Sequence, residues 1–251
     1  MKPFDFLLRK LRNYDAKRGY TCDFCGRELF EYPEKRLCER CLASLFYNDR
    51  YTCSRCGRKT VTEGFCLSCK QTPPQFTKGF SPLEYRGKSA ALVNRLKNGN
   101  ARLALFLGEL MADCFLRFYT ETTSILLLPV PLTKAKERER GYNQSELLCE
   151  RISYCLEEQG FTIEYAPNLL VRKTDVQQKH LLYKERFQNA EQAYAIADRA
   201  ACKGKTVLLV DDILTTGATG GACAKKLLKA GANAVFFLSA ASRAEIQREN
   251  P

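Results

Sequence analysis

The chain has 251 residues, 45% of them hydrophobic, with a formal charge of +12 and a mean hydropathy of −0.33. That length accommodates one full domain and a small one, and no apolar run is long enough to cross a bilayer as a helix. The basic excess suits a polyanion or a phosphorylated small ligand, and a plainly solvated surface accounts for it equally well.

Residues 1–20 form a short amphipathic stretch, with Phe4, Leu7, Leu8 and Leu11 on one helical face, expected to pack on the protein itself. Met1–Arg12 lacks the apolar run of a secretory signal, so a reducing, cytoplasmic location is expected. Eight of the 13 cysteines then fall in four Cys-x-x-Cys pairs: Cys22/Cys25, Cys38/Cys41, Cys53/Cys56 and Cys66/Cys69. A two-residue gap lets both thiolates of a knuckle face one ion, and four thiolates complete a zinc tetrahedron. Gly26 and Gly57 relieve the backbone after Cys25 and Cys56. Residues 21–72 therefore predict a double zinc-ribbon module with four cysteines per site and two structural Zn²⁺. The simplest combination is sequential, Cys22/Cys25/Cys38/Cys41 and Cys53/Cys56/Cys66/Cys69; spacing alone leaves a crossed one open, and the module needs its ions to fold. Each tetrathiolate site carries about −2, which would lower the +7 of the first eighty residues to about +3. The other cysteines, Cys114, Cys149, Cys155, Cys202 and Cys223, read as buried thiols.

Gln71-Thr72-Pro73-Pro74 is a turn or linker, and a second domain spans 76–251. Its predicted elements alternate: strand Phe80–Tyr85, helix Ser89–Lys97, helix Ala101–Tyr119, strand Ser124–Leu128, helix Asn143–Gln159, strand Phe161–Tyr165, strand Thr206–Val210, a helix from Gly220 to Lys229, and strand Ala234–Ser239. This is an α/β pattern with a parallel sheet, and ligands of such sheets bind at the carboxyl ends of the strands.

Val207–Val210 reads as a buried strand ending in Asp211 and Asp212, followed by Thr215, Thr216, Gly217, Ala218 and Thr219 at a helix start. Backbone N–H groups and a positive helix end there suit a phosphate, and the carboxylates suit sugar hydroxyls or a divalent cation beside it. An ordinary strand followed by a helix capped at Thr219 would explain only one of these residues. The string, gapless over thirteen positions, resembles the 5-phosphoribosyl-1-diphosphate (PRPP) signature of type I phosphoribosyltransferases. The resemblance implies that fold, with Asp211 and Asp212 on the ribose hydroxyls, Thr215–Thr219 around the 5′-phosphate, and Mg²⁺ with PRPP. After Leu128, the turn holding Val130 and Pro131 and the cations Lys134, Lys136, Arg138 and Arg140 looks like the family's diphosphate loop, and a solvated charged turn is the alternative.

Val130-Pro131-Leu132, the basic residues, Arg140-Gly141-Tyr142-Asn143-Gln144-Ser145-Glu146, and Leu170-Val171-Arg172-Lys173-Thr174 through Arg186-Phe187 are together similar to the ComF family of competence-associated proteins. So is the order of parts, cysteine pairs before a phosphoribosyltransferase-like domain. Asp175-Val176 stands where family members commonly carry prolines. The resemblance implies a flexible lid with Arg172, Lys173 and Arg186 as anion contacts, and a role in natural competence, the handling of incoming single-stranded DNA. His180, the only histidine, lies in that segment and reads as solvated or as a base acting on an acceptor.

Three functions remain open: a PRPP-binding protein, a transferase acting on an undetermined acceptor, and a nucleic-acid-binding module. The last would use Phe24, Phe30, Tyr32, Phe46, Tyr47 and Tyr51 for stacking, or bury them as its core.

Overall fold

Apolar runs such as Val207–Val210 and Val235–Leu238 are hydrophobic at every position, the pattern of a strand covered on both faces. The structure, a computed structural model, describes residues 20–48, 50–119, 121–173 and 192–244. The amphipathic stretch, His180 and Arg186 lie outside those residues. The strands are β1 (Lys78–Phe80), β2 (Leu83–Glu84), β3 (Ser124–Pro129), β4 (Thr162–Tyr165), β7 (Thr206–Leu214) and β8 (Ala234–Ser242). They form one all-parallel sheet in the order β1-β8-β7-β3-β4, with β2 also beside β8. The α/β class and a parallel sheet flanked by helices are therefore as expected. A separate antiparallel hairpin, β5 (Leu170–Arg172) with β6 (Tyr194–Ile196), was not expected.

Three boundaries differ from the expectation. The single strand Phe80–Tyr85 is divided into β1 and β2, because Pro82 between them has no N–H for the ladder. Strand β7 does not end at Val210 but runs to Leu214, since β8 continues to Ser242 and pairs Asp211 with Ser239 and Leu214 with Ser242. The helix after it, α7 (Ala218–Lys229), starts two residues early, with left-handed Gly217 (φ 81°) as its N-cap in place of Thr219.

Alternation along β7 and β8 divides the core. Leu208, Val210, Phe236 and Leu238 face helices α3 (Gly87–Lys97), α4 (Leu103–Phe118) and α6 (Gln144–Glu158). Val207, Leu209, Val235 and Phe237 face α7 and Phe76. Phe76 is fully buried and stacks on Phe237 with ring centroids 5.2 Å apart.

The two cysteine knuckles repeat one design. Cys22 N–H donates to Arg27 O and Cys53 N–H to Arg58 O, both at 2.8 Å, and Gly26 and Gly57 both take positive φ. Cys38 caps α1 (Glu39–Ala43) and Cys66 caps α2 (Leu67–Gln71). The sulfur atoms gather sequentially, Cys22/Cys25/Cys38/Cys41 and Cys53/Cys56/Cys66/Cys69, each group within 4.8 Å, which selects that pairing over the crossed one. The Cys25–Cys38 and Cys56–Cys66 sulfur separations are 3.8 and 3.7 Å. A tetrahedron with Zn–S bonds of about 2.3 Å has an edge of about 3.8 Å, whereas a disulfide needs about 2.05 Å. Amides of Cys38, Cys66 and Cys69 point at sulfurs of Cys22, Cys53 and Cys66 at 3.3–3.4 Å, which stabilises thiolates. Both groups thus fit zinc.

The module does not hang from a linker. Cys22, Phe24, Tyr32 and Cys41 pack into the core on one face of the sheet; Cys53, Cys56, Cys66 and Cys69 join the core on the other. Gly57 sits so close to β1 that a Cβ there would fall 2.4 Å from Gly79 O. Of the remaining cysteines, Cys149, Cys202 and Cys223 are buried, and Cys114 and Cys155 are half-buried.

Phe76→Ala is expected to cost about 3–5 kcal/mol by denaturant titration, because it opens a cavity against Phe237. Purified chain should release two zinc ions to a thiol-reactive mercurial, monitored with a chromogenic chelator. Cys56→Ala should release one and lower the thermal midpoint; an unchanged midpoint would detach the metal from the core.

Candidate functional site

Strands β3 and β7 lie side by side, but their connections leave in opposite directions, β3 toward β4 and β7 toward β8. That reversal opens a crevice at the carboxyl ends. The last β3–β7 partners are Pro129 and Val210, and Val130 N–H donates to Val210 O at 2.8 Å. Asn143, the cap of α6, donates from Nδ2 to Val130 O at 3.2 Å. The two loops singled out in the sequence therefore meet at one place.

Beyond Val210 only β8 still pairs with β7, so Asp211 and Asp212 stand at the open edge, pointing to opposite faces. Asp211 accepts from its neighbour's amide at 2.9 Å and from Ser145 Oγ at 3.3 Å. Burial, and then the charge of Asp212, push its carboxyl up to about 7, against the pull of that amide, Lys97 and Ser145. Asp212 is 5% exposed, with Lys97 Nζ 3.2 Å from Oδ2. Lys97 is a site residue the sequence did not disclose: it closes α3, whose pattern reads only as a helix with an apolar face.

The turn after β7 is open. Among the described residues, the amides of Thr215, Thr216 and Gly217 donate to no other group, and Ala218 N–H reaches only Thr216 Oγ1 at 3.3 Å. The first-turn amides of α7 have no acceptor within the helix, and its twelve residues direct a positive end at the same spot. Gly220 is required, since a Cβ would meet the Phe237 ring at 2.7 Å. The Thr215 carbonyl is held by Arg58 Nη2 at 2.6 Å, a contact from the second knuckle that no sequence pattern foreshadows.

The other expected contacts are distributed unevenly. Val130 is buried at the crevice and Pro131 half-buried. Lys134, Lys136 and Arg138 do not lie on a loop: residues 134–140 form a short helix, α5, started by Thr133 Oγ1 and ended by left-handed Gly141. A capping hydroxyl before a good helix-forming run explains the difference. Those three cations are exposed, and Arg140 donates to Gln144 Oε1 at 2.8 Å. On the hairpin, Arg172 lies over Tyr194 and donates to its hydroxyl at 3.3 Å, and that hydroxyl contacts Thr219. Lys173 is exposed.

No family model matches the chain. The "DNA utilization protein YhgH" of Salmonella typhimurium is 30% identical over 188 residues, 73% of this chain and 80% of that protein. The "Competence protein ComFC" of Bacillus subtilis is 26% identical over 84% of this chain and 86% of the relative, and the "Competence protein F" of Haemophilus influenzae 28% identical over 86% and 87%. Among solved structures, a glutamine PRPP amidotransferase from B. subtilis superposes with a TM-score of 0.35 at 18% identity over 55% of this chain, which spans 26% of that protein. An allosteric regulatory enzyme of purine biosynthesis gives 0.31 at 18% identity over 72% of this chain and 31% of its own. By its kinship with the competence and DNA-utilization proteins, the chain belongs to the ComF family.

Proposed function

We propose that this chain binds PRPP with Mg²⁺ at the crevice between β3 and β7, and that it works in the cytoplasm in the use of incoming DNA. One observation carries the first part: an acidic doublet and a run of unpaired turn amides at a helix start share one switch point of the sheet. Asp211 and Asp212 accept from the ribose hydroxyls, and Thr215, Thr216, Gly217, Ala218 and Thr219 receive the 5′-phosphate. Val130, Pro131, Lys134, Lys136, Arg138 and Arg140 answer the diphosphate, and Arg172, Lys173 and Arg186 are its further anion contacts. Bound Mg²⁺ supplies neutralisation of the diphosphate charge. Lys97 offsets one charge of the doublet, which lowers the repulsion an anion meets beside the two carboxylates. Transfer to an acceptor is the stronger form of the reading and would show as diphosphate release. The second part is supported by the relatives named for competence and for DNA utilization.

A specific observation favours an additional single-stranded DNA surface. An open groove of about 460 Å³ beside the first cysteine group is lined by Arg40, Lys88 and Arg95, with Arg95 stacked over Phe24. Of the aromatics proposed for stacking, Phe30 and Tyr51 are exposed, whereas Phe24 and Tyr32 are core and Phe46 and Tyr47 half-buried.

For the PRPP site, the Asp211→Asn/Asp212→Asn chain should bind Mg²⁺-PRPP at least about 100-fold more weakly by calorimetry, as two charge-assisted contacts weaken. Equal affinity would sink the site. For the groove, Arg40→Ala/Lys88→Ala should reduce the salt slope of oligonucleotide binding by about 1.4 in magnitude. An unaltered slope would move DNA elsewhere.

A further inference from the structure

The two knuckles are near copies with one telling difference. Arg27 and Arg58 occupy the same position after the turn glycine, and the carbonyl of each accepts from the first cysteine's amide. Arg27 is exposed to solvent, whereas Arg58 is only 6% exposed. Its guanidinium lies against the Cys56 sulfur, with Cys66 and Cys69 close by. A buried guanidinium needs anionic and polar partners. One is the tetrathiolate group, which carries about −2 with zinc. The other is the Thr215 carbonyl at the mouth of the open turn, 2.6 Å from Nη2.

The geometry points to Arg58 as a positioning residue for the anion-binding turn, through which the second cysteine site sets the direction of a backbone donor that meets the phosphate. The inference rests on the reading that this turn takes a phosphate. A trans peptide is planar, with its C=O and N–H pointing opposite ways. Holding the Thr215 carbonyl toward the cysteine site therefore aims the Thr216 N–H away from it, into the open side of the turn. That amide donates to nothing else among the described residues.

The support is stiff at both ends. The knuckle cannot slide on the sheet, because Gly57 and Gly79 meet backbone to backbone and Gly79 N–H donates to Arg55 O at 2.8 Å. The same knuckle reaches the turn by a second route. Arg55 donates to Pro74 O from Nε at 3.3 Å and from Nη2 at 3.1 Å, and Pro74 lies against Gly217 and Gly221. Arg58 touches no ligand in this arrangement; it acts through the 215–216 peptide.

The test compares the full-length, zinc-loaded wild type with Arg58→Met and Arg58→Lys, using ribose 5-phosphate with Mg²⁺ as the calorimetric probe and the Thr216 amide resonance as a second readout. The wild type should bind. Arg58→Met should keep two zinc ions, shift the Thr216 amide and bind about ten-fold more weakly, the equivalent of one buried charge-assisted hydrogen bond. Arg58→Lys, which keeps the charge but not the planar fork, should fall between them. Unchanged affinity and an unmoved Thr216 resonance in Arg58→Met with both zinc ions present overturn the inference. If Arg58→Met sheds a zinc ion, Arg58→Lys decides: affinity lowered with metal retained supports the inference, and affinity equal to wild type overturns it. A wild type that fails to bind ribose 5-phosphate overturns the phosphate reading of the turn instead.

Discussion

The unequal reach of β7's two neighbours is the constraint from which the site follows. On one side, β3 stops pairing at Val210; on the other, β8 pairs on to Leu214. The chain from Asp211 to Leu214 is thus held in extended register along one edge only. A fully paired β7 would close the sheet edge beside Asp211 and Asp212, and an unpaired one would leave their backbone unheld. Half-pairing holds the doublet rigid at an open crevice, with its two side chains on opposite faces.

Rigidity at this point has an electrostatic consequence. Burial first, and then the charge of the adjacent Asp212, raises the proton affinity of Asp211. The fold compensates with Lys97, at the end of α3, beside Asp212 and with Ser145, at the start of α6, beside Asp211. The amide-lined turn lies on the other side of the same strand end. The crevice therefore holds negative charge and a positive helix start within a few residues, as a ligand with both hydroxyls and phosphate would require.

The cysteine knuckles extend the same logic to the sheet's faces. Each is too small to form a core, and each is completed by the larger domain: the first by the α3/α4 side, the second by the α7 side. Buried charges mark the joints. Asp23 of the first knuckle meets Arg102 at 2.8 Å, and Arg58 of the second meets Thr215 O. A metal in either group would stabilise not a detachable finger but one wall of the domain.

Local chemistry determined much of this from the sequence alone. Cys-x-x-Cys spacing fixes paired thiols that can face one ion, continuous apolar runs fix buried parallel strands, and the Asp211–Thr219 string fixes a strand that passes through a small-residue turn into a helix, because each depends on neighbours a few residues apart. Sequence pattern misjudged α5 and the division of β1 from β2, where a cap hydroxyl and a missing N–H outweighed the broader signal. Only the tertiary structure decided the sequential cysteine grouping, the end of β7, and the presence of Lys97 and Arg58 at the crevice. Lys97 and Asp212 are 115 residues apart in the chain, and Arg58 and Thr215 are 157 apart. No local periodicity carries such distances; they are set by which strands lie side by side, and that order is a property of the whole packed chain.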